Sequence, residues 1–252
     1  MLTDERCGRG WMILPIVLTA VLYLFSTTDR GVIDYDEGYY AQAAKGMAES
    51  GNWVTPYVNG VRFLEKPPFL YWITAASFKV FGISEFALRF PTALAVIALV
   101  GVVMLIGVRI AGRSTAWIAG LSTAFCAGTF IFTRETLHDV WLVFFIALAM
   151  YAFIDWYMDP QHSPRRAWLF YAATAGAFMC KSLIGVAFPL GIVAVYFVLR
   201  EFNRFWIAAG LLLATSIFLK KNWYDKLEKE AVSEPEVKNE AAQGSIEYQV
   251  EI

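Results

Sequence analysis

The sequence predicts an all-α polytopic membrane protein of about seven transmembrane helices, with interfacial helices in the first outer loop. Three observations carry that prediction. Hydrophobic residues make up 58% of the chain, mean hydropathy is +0.50, and the apolar residues fall in long runs, as helices embedded in hydrocarbon require. Short Lys/Arg clusters recur at the run ends: Arg6 with Arg9, Arg109 with Arg113, Arg165 with Arg166, and Arg200 with Arg204. A polar interval at 29–66 interrupts the pattern, and a simple anchor has no need of it.

The organisation follows in four parts: residues 1–28 as a cytoplasmic N-terminus and first span, 29–89 as an outer loop, 90–219 as the remaining spans, and 220–252 as a polar, mobile tail. The first span runs from about Met12 to Phe25. It has no small-x-small cleavage site followed by a soluble domain, so it reads as uncleaved. In the loop, Asp36 is placed to cap a helix over Glu37–Glu49 that stops at Gly51, with Tyr40, Ala44 and Met47 on an apolar face suited to the membrane surface. Trp53–Phe63 reads as a hairpin turning at Asn59-Gly60.

Residues 67–82, PPFLYWITAASFKVFG, are apolar but short. About 14 residues of helix reach roughly 21 Å, against a hydrocarbon core of about 30 Å. Laying this segment in the interface makes Phe90–Val108 the second crossing, followed by Ser114–Phe132, Val140–Tyr157, Ala167–Cys180, Leu183–Leu199 and Phe205–Leu219. Every short basic cluster through Arg204 then lies on the cytoplasmic side, whereas a spanning 67–82 would send Arg109 and Arg113 outward. Asp155 falls near the inner end of its span, among the headgroups.

This topology brings the first loop, the turn 133–139 and the turn at Lys181 to one outer face. Charged groups cluster at span ends rather than at the bilayer midplane, which disfavours a secondary transporter. A formal net charge of −1 without a basic stripe argues against a nucleic-acid partner. Cys7, Cys126 and Cys180 lack both metal-ligand spacing and the pattern of a disulfide framework.

On the outer face, Asp36 with Glu37, and Asp139, are candidates for a general base and an orienting or metal-binding carboxylate. Lys66, Lys181 and Arg134 are candidates to bind a phosphate, and Phe69, Tyr71 and Trp72 to accept a lipid tail. Cations and a carboxylate at a membrane edge are what glycosyl transfer from a lipid phosphate needs. His138 is a candidate metal ligand; a hydrogen-bonded histidine is the plain alternative. The plain alternatives for the others are a solvated helix cap at Asp36 and snorkelling lysines.

In order, DYDEGYYAQAAKGMAESGNWVTPYVNGVRFLEKPPFLYW (34–72), RETLHD (134–139) and CKSLIGVAFP (180–189) resemble the lipid-dependent membrane glycosyltransferases of the GT-C fold. These include the protein O-mannosyltransferases and the bacterial aminoarabinose transferases. The resemblance covers roughly residues 10–200 and looks like that of a shortened member. It implies that Asp36 is the principal catalytic carboxylate beside Glu37, that Asp139 is the second acidic position, and that Lys66 and Lys181 contact the lipid phosphate. It implies further that Glu65 can take part in binding a divalent metal. The expected reaction is inverting transfer of a sugar from a polyprenyl-phosphate donor to a protein, lipid or glycan acceptor. The expected site is the periplasmic or extracellular face of a bacterial inner membrane. The alternative is a truncated, inactive or accessory polyprenyl-phosphate-binding membrane protein that needs a partner chain.

Overall fold

The computed structural model describes residues 9–25, 27, 31–32, 35–202 and 221. The chain divides into two compact units, Met1–Ile192 and Val193–Ile252. In the first unit, a 3-10 turn Arg9–Met12 leads into α1 (Ile13–Phe25). Then come α2 (Tyr35–Ser50), a two-stranded hairpin of β1 (Tyr57–Val58) and β2 (Val61–Arg62), α3 (Phe69–Phe81) and α4 (Glu85–Ala111). After these follow α5 (Arg113–Ala124), α6 (Ala127–Thr133), α7 (His138–Tyr157) and α8 (Pro164–Lys181). A last helix, α9 (Leu183–Phe202), begins in the first unit; its residues from Val193 onward, with Lys221, are what is described of the second. The expected seventh crossing and the tail, Lys221 aside, lie outside the described residues.

The protein is a multi-pass membrane protein by its helices. Among the described residues α4, α7 and α9 are each long and apolar enough to cross a bilayer, and the bent pair α5 and α6 makes up to four. The expected seven are therefore not reached there: α1 is short, and α8 fails on hydropathy because it opens with PRRAW. The third crossing, expected as one helix over Ser114–Phe132, is broken, with a bend of 49° between α5 and α6. That break frees the carbonyl of Ala124 at the end of α5, and the Tyr23 hydroxyl of α1 donates to it at 2.7 Å.

In the first loop the helix begins at Tyr35, two residues before the expected start. Asp36 thus lies within its first turn and is not its cap. Gly51, with φ of +75°, ends it as expected. Tyr40, Ala44 and Met47 are indeed one buried face, but protein covers them: they pack with Leu70, Tyr71 and Phe78 of α3 and Val58 of the hairpin. The face expected to lie on the membrane surface is thus accounted for by packing. Asn59 and Gly60 turn the hairpin with φ of +52° and +79°, the left-handed pair that a two-residue turn demands. Gln42 of α2 donates to Asn59 at 2.7 Å, and the Trp72 indole of α3 donates to the Trp53 carbonyl at 2.6 Å, docking the hairpin on both helices.

The segment α3 is 13 residues long, too short to be counted as a span, in line with the length argument. It packs against α2 and α4. The first turn of α4 is capped by Ser84, which accepts from the Ala87 N–H at 3.2 Å. Within α4, Pro91 has no N–H for the carbonyl four residues back, and the Ser77 hydroxyl of α3 donates to that Ala87 carbonyl at 2.6 Å. The α4–α5 contact is close: a Cβ on Gly107 would lie 2.7 Å from the Ala116 Cα. Small residues at such contacts let helix backbones approach in a membrane.

Asp155 does not face the headgroups as expected. It is 7% exposed and pairs with Arg109 of α4 and Arg166 of α8, while Arg166 also pairs with Asp159. One buried carboxylate thereby ties three helices together at the end of α7 that carries the basic clusters.

Candidate functional site

The opposite end of α7 gathers the groups that the sequence singled out. Asp36 and Glu37 are adjacent in the first turn of α2 and point apart, since successive helical residues are about 100° apart. Asp36 is exposed, whereas Glu37 is 1% exposed and paired with the fully buried Arg89 of α4. The pair is two-pronged: Nε donates to Oε1 at 2.8 Å and Nη2 to Oε2 at 2.9 Å. Arg89 also donates to the carbonyls of Thr27 at 3.1 Å and Gly31 at 3.0 Å. Thr136 donates to Glu37 through its N–H at 3.2 Å and its hydroxyl lies 3.3 Å from the same oxygen.

Both oxygens of Glu37 are thus engaged, and four parts of the chain meet on one ion pair: Thr27 with Gly31, α2, α4 and the stretch before α7. A catalytic role was expected for Glu37 beside Asp36; the structure gives it the geometry of a brace that fixes Asp36 on its helix. Arg89 was not singled out. Its signal was an arginine inside the apolar run FALRFPTALAV, a position where a charge needs a partner.

His138 and Asp139 lie in the first turn of α7, not in the turn before it. His138 is 2% exposed, and Tyr40 and Tyr71 meet its ring edge-on, with centroids at 4.7 and 5.5 Å. Lys66, Asp139 and Lys181 are all near enough to act on it electrostatically. The Pro67 carbonyl lies beside the ring, but neither ring nitrogen closes a hydrogen bond. Lys181 forms an ion pair with Asp139, and Lys66 pairs with Glu65 at 3.0 Å. Both lysines are about one-third exposed, so the charges stay accessible.

Tyr71 joins the two halves of the site. It is fully buried, its hydroxyl has no hydrogen-bond partner, and burial first, then the charges of Tyr40, Glu65 and Asp36, push its phenol well above the usual tyrosine range. It stays protonated, a donor at any working pH. The expected convergence of three segments is therefore seen: the first loop supplies Asp36, Glu65 and Lys66, the 133–139 stretch supplies Thr136, His138 and Asp139, and the end of α8 supplies Lys181.

Arg134, the third expected phosphate contact, ends α6 and lies over the Phe130 ring at 5.1 Å. No group of three or more metal-ligating side chains converges among the described residues. Glu65 and His138 thus do not compose a metal site by themselves. Asp139 also borders a cavity of about 440 Å³ whose lining is mostly apolar, with Val96, Leu99 and Phe132 among it, and includes Thr129 and Thr133.

Comparison with known proteins adds a lineage. Residues 11–221 match the model of the family described as dolichyl-phosphate-mannose-protein mannosyltransferase. An uncharacterized protein of Aquifex aeolicus is 31% identical over 84% of this chain and 42% of its own length. The undecaprenyl phosphate-alpha-4-amino-4-deoxy-L-arabinose arabinosyl transferase 2 of Proteus mirabilis is 25% identical over 87% of this chain and 40% of its own. Among solved structures, ArnT from Cupriavidus metallidurans bound to undecaprenyl phosphate superposes with a TM-score of 0.68 and 27% identity, covering 79% of this chain and 37% of that one. The chain spans about two fifths of the length of these relatives.

Proposed function

The chain belongs to the dolichyl-phosphate-mannose-protein mannosyltransferase family, and from that premise we propose that it takes part in moving a sugar from a polyprenyl-phosphate donor to an acceptor hydroxyl at the outer face of a bacterial inner membrane. The observation that carries the reading is the gathering of Lys66, Lys181 and Asp139 around His138, next to the helix that presents Asp36. A lipid-linked phosphate brings negative charge to the membrane edge, and two ammonium groups there, each about one-third exposed, supply its counter-charge.

In the reaction, Asp36 takes the proton of the acceptor hydroxyl as its oxygen attacks the anomeric carbon. The bond between that carbon and the phosphate oxygen breaks, and the electron pair leaves with the polyprenyl phosphate. Lys66 and Lys181 stabilise the phosphate as its charge develops. Attack opposite the leaving group inverts the anomeric centre. Asp139, paired with Lys181, orients that ammonium, and the Glu37–Arg89 brace sets the direction of Asp36. The donor named for the Proteus relative and the lipid in the Cupriavidus structure support a polyprenyl phosphate as carrier. The acceptor, whether protein, lipid or glycan, is left open by these residues.

Asp36→Asn tests the assignment. Transfer should fall by about a hundredfold or more, the usual scale for losing a general base, with unfolding temperature and lipid binding unchanged. Turnover near wild type would remove Asp36 from that role.

A further inference from the structure

Two buried polar groups at this site close no hydrogen bond of good geometry in the fold, although the Pro67 carbonyl lies beside the His138 ring. His138 is 2% exposed with both ring nitrogens unbonded, and Tyr71 is fully buried with its hydroxyl unbonded. Their rings meet edge-on at 5.5 Å. Most buried polar groups are hydrogen-bonded; Thr74, Thr92 and Trp141 also carry an unbonded buried atom, but His138 and Tyr71 adjoin each other in the neighbourhood of two lysines, which points to a partner that the chain does not supply. A metal is a poor candidate, because no third ligating side chain converges among the described residues.

The surroundings state what the partner needs. Lys66 and Lys181 lie in the electrostatic neighbourhood of His138. Each is held by one carboxylate, Glu65 and Asp139, in an ion pair open to solvent. The phenol offers one O–H and a neutral imidazole one N–H. Two ammonium groups and two neutral donors lie together here, and Glu65 and Asp139 are the carboxylates that balance the lysines. A tetrahedral oxyanion has the acceptor oxygens to answer all four.

We propose that His138 and Tyr71 form the floor of the phosphate site, donating hydrogen bonds to the phosphate of a polyprenyl monophosphate while Lys66 and Lys181 hold it by charge. This rests on the polyprenyl-phosphate reading above, and it adds two donors that neither a catalytic base nor a metal ligand would be. On binding, the phosphate adds to Glu65 and Asp139 as counter-charge to the lysines, and Asp139 keeps the Lys181 ammonium in place beside it.

The test is equilibrium binding to the purified full chain in mild detergent, with polyprenyl monophosphate and inorganic phosphate as separate probes. Wild type, His138→Phe, His138→Gln, Tyr71→Phe and Lys66→Ala are compared, each with its unfolding temperature. His138→Phe should weaken lipid-phosphate binding about tenfold or more, Tyr71→Phe by a few-fold, and His138→Gln, which keeps an N–H, less than His138→Phe. If His138→Phe does not fold, Tyr71→Phe and His138→Gln decide: wild-type affinity in both overturns the proposal. Loss in Lys66→Ala with none in the His138 and Tyr71 variants overturns it while leaving the donor reading intact. A wild type that binds no polyprenyl phosphate sinks both. Inorganic phosphate bound as tightly as the lipid, with the same dependence on His138, overturns the lipid assignment and gives the floor to a free anion.

Discussion

Removing the Arg89 side chain while keeping Glu37 leaves a carboxylate buried without its counter-ion, whereas removing both replaces an ion pair with apolar volume. Breaking such a pair from one side costs about 3–5 kcal/mol, and replacing both partners is often neutral. Arg89→Ala should therefore lower the unfolding temperature in detergent markedly, and Arg89→Met with Glu37→Leu should recover most of it. If the pair also aims Asp36, the double variant should fold well yet transfer sugar slowly, and a double variant of full activity would reduce the brace to a packing element. The visibility of these residues in the sequence follows from where their charges lie. Asp36, Lys66, Asp139 and Lys181 stand at the margins of apolar runs, where hydropathy leaves charged residues conspicuous. Arg89 is hidden because its partner is 52 residues away, and no local pattern links them. Glu37 could not be told from Asp36 without knowing which side of α2 met α4.

At the scale of elements, length and turn chemistry were sufficient for the first loop. The Asn59-Gly60 turn, the stop at Gly51 and the short α3 each follow from a local rule, namely left-handed backbone at a turn or the reach of a helix. The break between α5 and α6 had no such signal. Residues 114–132 carry no charge and contain no proline, so a straight helix and a bent one read alike. What holds the bend is tertiary: the Tyr23 hydroxyl takes the carbonyl that the break exposes. Tyr23→Phe should loosen it, measured as faster hydrogen exchange at residues 124–127 with little change elsewhere; protection equal to wild type would mean that the bend holds without the bond. The α4–α5 contact is more sensitive. At Gly107 a new Cβ would fall 2.7 Å from main-chain Ala116 rather than against a movable side-chain tip, so Gly107→Val should lower the unfolding temperature, where the same change at Gly101, with open space around it, should be tolerated.

For the whole molecule, orientation is the property on which the proposed chemistry depends, and the two ends of α7 give a handle on it. Its 20 residues extend about 30 Å, the thickness of the hydrocarbon core. One end carries His138, Asp139 and, across from them, Lys66 and Lys181; the other carries Asp155 with Arg109 and Arg166, beside Arg165. The positive-inside rule counts Lys and Arg in short loops and gives little weight to acids, so the neutralisation of Arg109 and Arg166 by Asp155 does not cancel their vote for the cytoplasm. On that rule the site end is expected to face outward, and the hairpin with it. Single cysteines test this in a background with Cys7, Cys126 and Cys180 replaced. Asn59→Cys, at the hairpin turn, should react with a membrane-impermeant maleimide in intact cells, and Gln161→Cys, in the α7–α8 connection, only after the membrane is opened. The reverse pattern would put Lys66 and Lys181 in the cytoplasm, where the outer-face reaction proposed for them could not take place, and it would overturn that part of the function while leaving the fold and the phosphate site untouched.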